Sequence, residues 1–578
     1  MFMYAAPVNE MQFLVNEVLL KNSDISEIVP TLLEAASRLA RDELAPINKS
    51  GDEQGVSINQ EGVVSTANGF KEAYQEYVNG GWGSLQFDPK YGGQDLPFVL
   101  AVSTQEMWHA ANMSWGLCPL LTQGAIEAIN YGATEQIKSI YLPKLISGNW
   151  TGTMNLTEPD AGSDLGVLKT KAWRENDHYL IKGQKIFITW GDHDMAENIA
   201  HLVLARLSDA PAGVKGISLF LVPKMLTDTE GKLGQKNDCK AVSLEKKIGI
   251  HGCPTCVMSY GEKSGAVGYL IGQENKGLEC MFAMMNNARL TVGLQGVSIA
   301  DRACQQALAY CNDRIQGVAP GFKEPGPIIR HPDVKRMLSL MQVLTDGARS
   351  LTYYACAEVD QSKAISTTKK AEMHKRRVGL LTPLVKGWCT EIGQEVVNLN
   401  IQCHGGAGYI EETGAGQLFR DARILPIYEG TNGIQAMDLV FRKVVNDDGC
   451  AIKELIQEMT LIDTNTLTTF LTKMQAESYK QAVKALEATA NLILNNKSNK
   501  KLLGGIAFDF LMMASVITAA WRLIESATAA KVDGIDDKYS QEFIFDRLSN
   551  VATFINTVLP RYQAHHSIIL CLMDEPPG

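Results

Sequence analysis

The sequence predicts an α+β protein in which helical units flank a small β-rich middle, and three observations carry that expectation. Apolar residues recur at helical spacing before about residue 150 and after about 278. Short β-rich runs fill the interval, parted by glycine and charged turns. No strand leads into the Gly-x-Gly-x-x-Gly turn of a dinucleotide-binding βαβ unit. At 578 residues the chain is too long for one core. The expected division is an α domain at 1–150 with a short N-terminal extension, a β domain at 151–277, a four-helix bundle at 278–445 and a helical extension at 446–578.

In the first unit, Met11-Gln-Phe-Leu-Val is a short apolar opening, and the run from Ile28 has helical spacing with Pro30 near its first turn. Glycine turns follow at Asn79-Gly-Gly-Trp82 and Tyr91-Gly-Gly93; Trp82 and Tyr91 read as local packing sooner than as a cleft wall. In the middle, Tyr179–Lys182, Lys185–Thr189, Ala200–Ala205 and Ile217–Val222 read as separate strands of an antiparallel barrel or sandwich. The stretch opens on Thr157-Glu-Pro-Asp-Ala-Gly162-Ser163-Asp164, a loop whose backbone N–H groups suit a phosphate or a ring carbonyl.

In the third unit, Leu290, Leu294, Val297, Ala300, Cys304, Leu308 and Cys311 form one stripe, and Val334, Met337, Met341, Leu344, Ala348, Leu351 and Ala355 form the next. Thr382-Pro383 is a cap and first-turn pair, so a third helix is expected to begin there, with Leu384, Trp388, Ile392 and Val396 on one face. A fourth follows from about Ile434. Beyond Asn446-Asp-Asp-Gly the usage of Ala, Leu, Lys and Glu predicts further helices, with no catalytic constellation among them.

A formal net charge of −10 argues against a general nucleic-acid binder. Lys369-Lys370 with His374-Lys375-Arg376-Arg377 runs against that sign, but reads as a solvated face or loop. Twelve scattered cysteines without a secretory signal fit reduced thiols and a cytoplasmic location. Cys253-Pro-Thr-Cys256 lacks the second ligand pair of a zinc site, so no metal is expected. Gly505–Trp521 is shorter than a membrane span and carries Asp509, which predicts a buried core helix and no integral membrane segment.

Chemistry concentrates at Tyr428-Glu429-Gly430-Thr431. The stretch sets a carboxylate between an apolar run and a glycine turn, where it suits a desolvated base; as a loop feeding the next helix, it equally suits a capping Glu.

Four separated motifs then fall in order: Leu156-Thr-Glu-Pro-Asp-Ala-Gly-Ser-Asp164, Phe187-Ile-Thr189, Gln402-Cys-His-Gly-Gly-Ala-Gly408 and Tyr428-Glu-Gly-Thr431. Their order and spacing resemble the acyl-CoA dehydrogenase family over about residues 40–445. Ala6–Phe13, Ile248–Cys256 and the C-terminal extension look more specifically like the extended branch that includes 3-methylmercaptopropionyl-CoA dehydrogenase. The resemblance implies an FAD-dependent α,β-dehydrogenation of an acyl-CoA thioester to the trans-2-enoyl thioester. Glu429 would take the α-proton, the β-hydrogen would leave as hydride to flavin N5, and the backbone N–H of Glu429 would face the developing enolate.

By motif match, Thr157 and Thr189 would bond the flavin edge, and Leu156, Gly162, Phe187 and Ile188 would shape its pocket, with Ser163 touching both flavin and substrate. Arg314, Gln316, Gln402, Gly405 and Gly406 would hold FAD across a subunit boundary, which implies a homo-oligomer, a dimer in view of the extension. Thr431 and Gly433 would lie near the flavin, and Arg289 and Gly430 on the substrate side. An electron-transferring flavoprotein is the implied acceptor. The sequence departs from the family pattern at His404, Asp160 and Gly433. Rival readings are a dehydrogenase of medium or long fatty acyl-CoAs, an acyl-CoA oxidase, and a nucleic-acid-binding flavoprotein of the alkylation-response branch, which a basic C-terminal surface would mark.

Overall fold

The computed structural model describes residues 3–21, 23–364 and 368–574. The chain divides into two units: residues up to Ser37 with Phe98–Ala110 and Arg289 onward, and Arg38–Pro97 with Ala111–Ala288.

The second unit is built on eight strands: β1 (Trp150–Asn155), β2 (Lys171–Glu175), β3 (His178–Thr189), β4 (Asn198–Leu207), β5 (Ile217–Pro223), β6 (Cys239–Leu244), β7 (Thr255–Tyr260) and β8 (Ala266–Ile271). β3 pairs with β8, β8 with β5, β5 with β4, β4 with β2 and β2 with β3, so five strands close a ring. Closure leaves those strands without a free edge. β7 and β6 extend the sheet from β3, and β1 lies beside β4. Alternation sends Ile181, Val203, Phe220, Val222, Met258 and Tyr260 into one core.

Two expectations change here. The β1–β4 and β2–β4 pairs are parallel, so the sheet is mixed and not purely antiparallel. Tyr179–Lys182 and Lys185–Thr189 are one strand, and Gly183 between them is no turn. A Cβ on Gly183 would lie 2.5 Å from Thr170 Oγ1, so glycine serves the close approach of a neighbouring segment.

The first unit is helical. Its bundle contains α1 (Gly277–Asp313, from Arg289 on), α2 (Pro332–Ala364) and α3 (Thr368–His404), followed by the short α4 (Asn432–Met437), which runs on into a wider turn, Asp438–Val445. The predicted stripes are buried except for Leu308, which is exposed, and Val334, which is half-buried. α1 and α3 cross on glycines. A Cβ on Gly296 would fall 2.2 Å from the Cys389 carbonyl oxygen, and one on Gly293 would fall 2.4 Å from Val385. Gly296→Ala is therefore expected to force the helices apart and lose about 1–3 kcal/mol of stability. Denaturant unfolding checks it; an unchanged midpoint would refute the close approach.

The third helix does not start at Thr382-Pro383; Pro383 lies inside α3. Proline removes one backbone donor and normally breaks a helix. Here Leu380, Leu381, Leu384 and Val385 are fully buried, and the Thr382 hydroxyl donates to the Val378 carbonyl at 2.8 Å, so tertiary packing holds the helix through it.

The basic run is a solvated face only in part: Lys369, Lys370 and Lys375 are exposed, whereas His374 and Arg377 are buried. Arg377 is 1% exposed at its side chain and grips Glu458 with two bonds of 2.8 Å. His374 meets Glu358 at 2.7 Å, and Arg376 meets Glu454. Glu454 and Glu458, brought by Cys450–Thr460, thus pair with Arg376 and Arg377 and dock the extension.

The extension continues as Lys473–Asn495, α5 (Lys500–Ala529), Gln541–Thr557 and Arg561–Asp574. Thr472 and Gln475 form a reciprocal capping box at the start of the first of these. Among the described residues, α5 alone has the length and apolarity to cross a membrane; 67% of its most apolar window is buried in the fold. Leu511 packs on Gly387, and Arg561 forms a fork with Glu395 at 2.7 and 2.8 Å, so the extension covers the bundle. The N-terminal segment closes over it: Phe13 sits edge-on to Tyr539, and Arg547 pairs with Glu10 while stacking over Phe13.

Candidate active site

The predicted site residues are divided between the two units. In the first, Asn432 N–H donates to the Pro426 carbonyl at 3.0 Å, and the Thr431 hydroxyl caps α4. These bonds pull the chain into a tight turn with Glu429 at φ 56 and Gly430 at φ 87. A left-handed glutamate is strained, and such strain persists only where the surroundings over-determine it. Among the described residues, no acceptor takes the Glu429 N–H.

The Glu429 side chain is half-buried. Burial raises its carboxyl above the usual range; Arg289 and then Lys386 pull it back. Arg289, itself buried, donates through Nε to the Glu429 carbonyl at 3.4 Å, a long bond. Tyr428 Oη donates to Gln295 Oε1, whose amide nitrogen is buried without a partner. Gln435 Nε2 donates to the Gly430 carbonyl at 3.2 Å and secures the turn from behind.

Sequence reasoning missed Lys386 and Asn432. Lys386 is fully buried, and its Nζ donates to Asn432 Oδ1 at 2.9 Å. Asn432 Nδ2 donates in turn to Glu391 Oε1 at 2.7 Å and Thr390 Oγ1 at 3.0 Å. One signal was present: Lys386 and Thr390 are polar at an i, i+4 spacing within an apolar helix segment. What they face, Asn432, lies 46 residues on from Lys386 and 42 from Thr390.

At the end of α3, Gly405 (φ 58) and Gly406 would each carry a Cβ that met nothing within 4 Å. Their backbone is open to approach. His404 Nδ1 bonds the Asn400 carbonyl at 2.8 Å and its ring stacks on Tyr310 at 4.2 Å, so this departure from the family pattern is a packing residue. That stack brings the end of α1, just before exposed Arg314 and Gln316, to the end of α3, where Gln402, Gly405 and Gly406 are exposed. Gly433 is exposed and Thr431 is its nearest neighbour, so this position offers no side chain.

In the second unit, Glu158 organises the loop after β1. Its carboxylate accepts from Thr170 Oγ1 at 2.6 Å, from the Thr170 N–H at 3.0 Å and from buried Lys185 Nζ at 2.8 Å. Lys185 also holds the Leu156 carbonyl at 2.9 Å; burial lowers its ammonium to about 8 against the pull of Glu158. The Thr157 carbonyl accepts from the Ile186 N–H at 2.9 Å, which joins this loop to β3. A bulge there turns Phe187 to φ 58, with the residue 58% exposed, while Ile188 packs inside the barrel. Thr157, Phe187 and Thr189 are thus brought together on a rigid edge. Gly162 and Ser163 lie on the exposed part of the loop.

Four family models match in chain order: acyl-CoA dehydrogenase N-terminal domain at 29–149, middle domain at 153–261 and C-terminal domain at 275–443, and an acetyl-CoA dehydrogenase C-terminal-like domain at 452–574. Over 98% of both chains, the sequence is 41% identical to 3-methylmercaptopropionyl-CoA dehydrogenase of Ruegeria pomeroyi. The chain belongs to the acyl-CoA dehydrogenase family. It is also 33% identical to a butyryl-CoA dehydrogenase of Syntrophomonas wolfei, over 96% of this chain and 95% of that one. A solved acyl-CoA dehydrogenase complexed with FAD from Bacillus anthracis shares the fold, with a TM-score of 0.76 and 22% identity over 98% of this chain and 92% of that one.

Members of this acyl-CoA dehydrogenase family are FAD-dependent oxidoreductases acting on acyl-CoA, and this enzyme is one of them. Its residues fit the cofactor. In one unit a pinned loop with an open Gly162 and an exposed apolar ring at Phe187 suit a planar group, and in the other the unobstructed Gly405–Gly406 backbone suits a pyrophosphate.

Proposed function

We propose that this acyl-CoA dehydrogenase oxidises a short acyl-CoA, 3-methylthiopropionyl-CoA, to its trans-2-enoyl thioester, with Glu429 as the base. The observation that carries the reading is a carboxylate raised by burial on a left-handed turn whose own N–H is unengaged. The likeness to the Ruegeria enzyme supports the choice of acyl group.

Arg289 and Lys386 pull against the burial that raises Glu429 and so favour the carboxylate, the form that accepts a proton. An acyl chain entering the site removes water and makes that carboxylate a stronger base toward the substrate α-carbon. The Glu429 N–H donates to the thioester oxygen as negative charge builds on it, and the left-handed turn fixes that donor in advance. Bound FAD would supply the acceptor for the β-hydrogen, which leaves as hydride. Leu156, Thr157, Gly162, Ser163, Phe187, Ile188 and Thr189 would hold its ring, with Thr431 and Gly433 beside it. Arg314, Gln316, Gln402, Gly405 and Gly406 would hold its pyrophosphate and adenosine from a partner subunit, which makes the working form a homodimer. Ser163, Arg289 and Gly430 would contact the substrate. Electrons would then pass to an electron-transferring flavoprotein. All twelve thiols are free, which suits the cytoplasm.

The test offers 3-methylthiopropionyl-CoA, butyryl-CoA and octanoyl-CoA separately to the FAD-loaded enzyme and follows flavin bleaching. The methylthio substrate is expected to give the highest kcat/KM. A tenfold preference for butyryl-CoA or octanoyl-CoA would reassign the acyl group, and no bleaching by any of them would overturn the reading.

A further inference from the structure

We propose that Lys386 is a positioning residue that sets the basicity of Glu429: an ammonium shut away from water beneath the base turn and held there by Asn432. The inference rests on Glu429 being the base. Among the described residues Lys386 Nζ has one hydrogen-bond acceptor, Asn432 Oδ1, so a buried cation with three donors spends one of them there. A cation so placed is costly unless opposite charge compensates it.

Glu429 and Glu391 supply that charge, and Arg289 opposes it. Burial brings Lys386 down to about 7. Arg289 in turn faces Asp438 and Arg442 from the wider turn after α4. The other helices packed on this part of α3 bring uncharged groups: Thr352 of α2 at Cys389, Leu511 of α5 at Gly387 and Ser515 of α5 at the Leu384 carbonyl. Arg289 and Lys386 are the charges that act on the base directly, and Asp438, Arg442 and Glu391 act on those two.

Asn432 joins this charge to the geometry. It follows the base by three residues, and its amide is clamped by Lys386, Thr390, Glu391 and the Gly387 carbonyl, all on α3. The helix that carries the cation thus fixes the turn that carries the base. Glu391 also borders a cavity of about 440 Å³ with Trp388, Glu395 and Arg561, so the outer end of the network reaches a space large enough for water.

The sign of the effect follows. A cation beside a carboxylate lowers its pKa, and only the ionised carboxylate accepts the α-proton. Lys386→Met in the FAD-loaded enzyme is expected to move the acid limb of the kcat/KM profile up by roughly one pH unit, about tenfold less activity on the acid side with recovery at higher pH. Lys386→Gln, which keeps an amide toward Asn432, is expected to give the same shift, and Lys386→Arg to leave the limb in place. FAD content and the thermal midpoint are measured alongside. A fractional loss equal at every pH, or an unmoved limb in both neutral variants, would overturn the role of Lys386. An active Glu429→Gln enzyme would instead overturn the base on which it depends.

Discussion

Glu429→Gln is expected to abolish flavin bleaching by acyl-CoA, with kcat down by about 10²–10⁴-fold, while the protein stays yellow. Gln has nearly the volume of Glu and can occupy the same half-buried position, but its amide cannot accept the α-proton. Glu429 is raised by burial, so the change removes a group the protein already holds at some disadvantage. Stability is therefore expected to hold or rise slightly. Its backbone N–H is unaltered, which separates the two duties of this residue: a remaining fraction above the uncatalysed rate measures the donor and the binding site alone. Stopped-flow absorbance of flavin, with cofactor content read from the same sample, decides it. Turnover within tenfold of the unaltered enzyme would remove Glu429 from the role of base.

Arg349→Met is expected to produce the largest loss of stability, about 3–5 kcal/mol. Arg349 on α2 is 1% exposed and meets Glu106 at 2.7 Å and Asp301 at 2.8 Å, with Asp346 further off. Removing the cation strands two buried carboxylates from different helices. Burial already holds Glu106 above the usual carboxylate range, against the pull of Arg349. Without Arg349, Glu106 rises further. A carboxyl whose folded pKa lies above its unfolded one destabilises the fold once it ionises, so the deficit is full at neutral pH and shrinks as acid protonates Glu106. Denaturant unfolding at pH 5 and pH 8 checks the direction. Adding Glu106→Gln and Asp301→Asn is expected to recover much of the loss, because the pair is costly mainly when broken. An Arg349→Met protein equally stable at both pH values would refute the account.

Much of this protein is legible in one dimension because local chemistry repeats. The bundle stripes and the β-rich middle follow from period 3.6 and period 2, and Glu429 stands out as a carboxylate beside a glycine turn, suited to a base or a helix cap. Errors arose where a distant partner decided a local question. Local propensity favours a helix start at Pro383 and a solvated face for Lys369–Arg377, which holds only for Lys369, Lys370 and Lys375. Packing around Leu380–Val385 carries α3 through the proline, and Glu454 and Glu458 turn Arg376 and Arg377 inward. Gly183 by itself suggests a turn, but Thr170, just before the start of the neighbouring strand, approaches it.

The candidate site divides along the same line. Sequence by itself determined the identities at Glu429, Gly430, Thr157 and Arg289, since motif order needs no coordinates. Only the tertiary structure decided that Glu429 is left-handed with its N–H unengaged, and that Lys386 lies under its turn. The physical reason is that burial and Coulomb interaction depend on distance in space. Lys386 and Asn432 are far apart along the chain, and nothing in the periodicity of either segment encodes the contact that joins them.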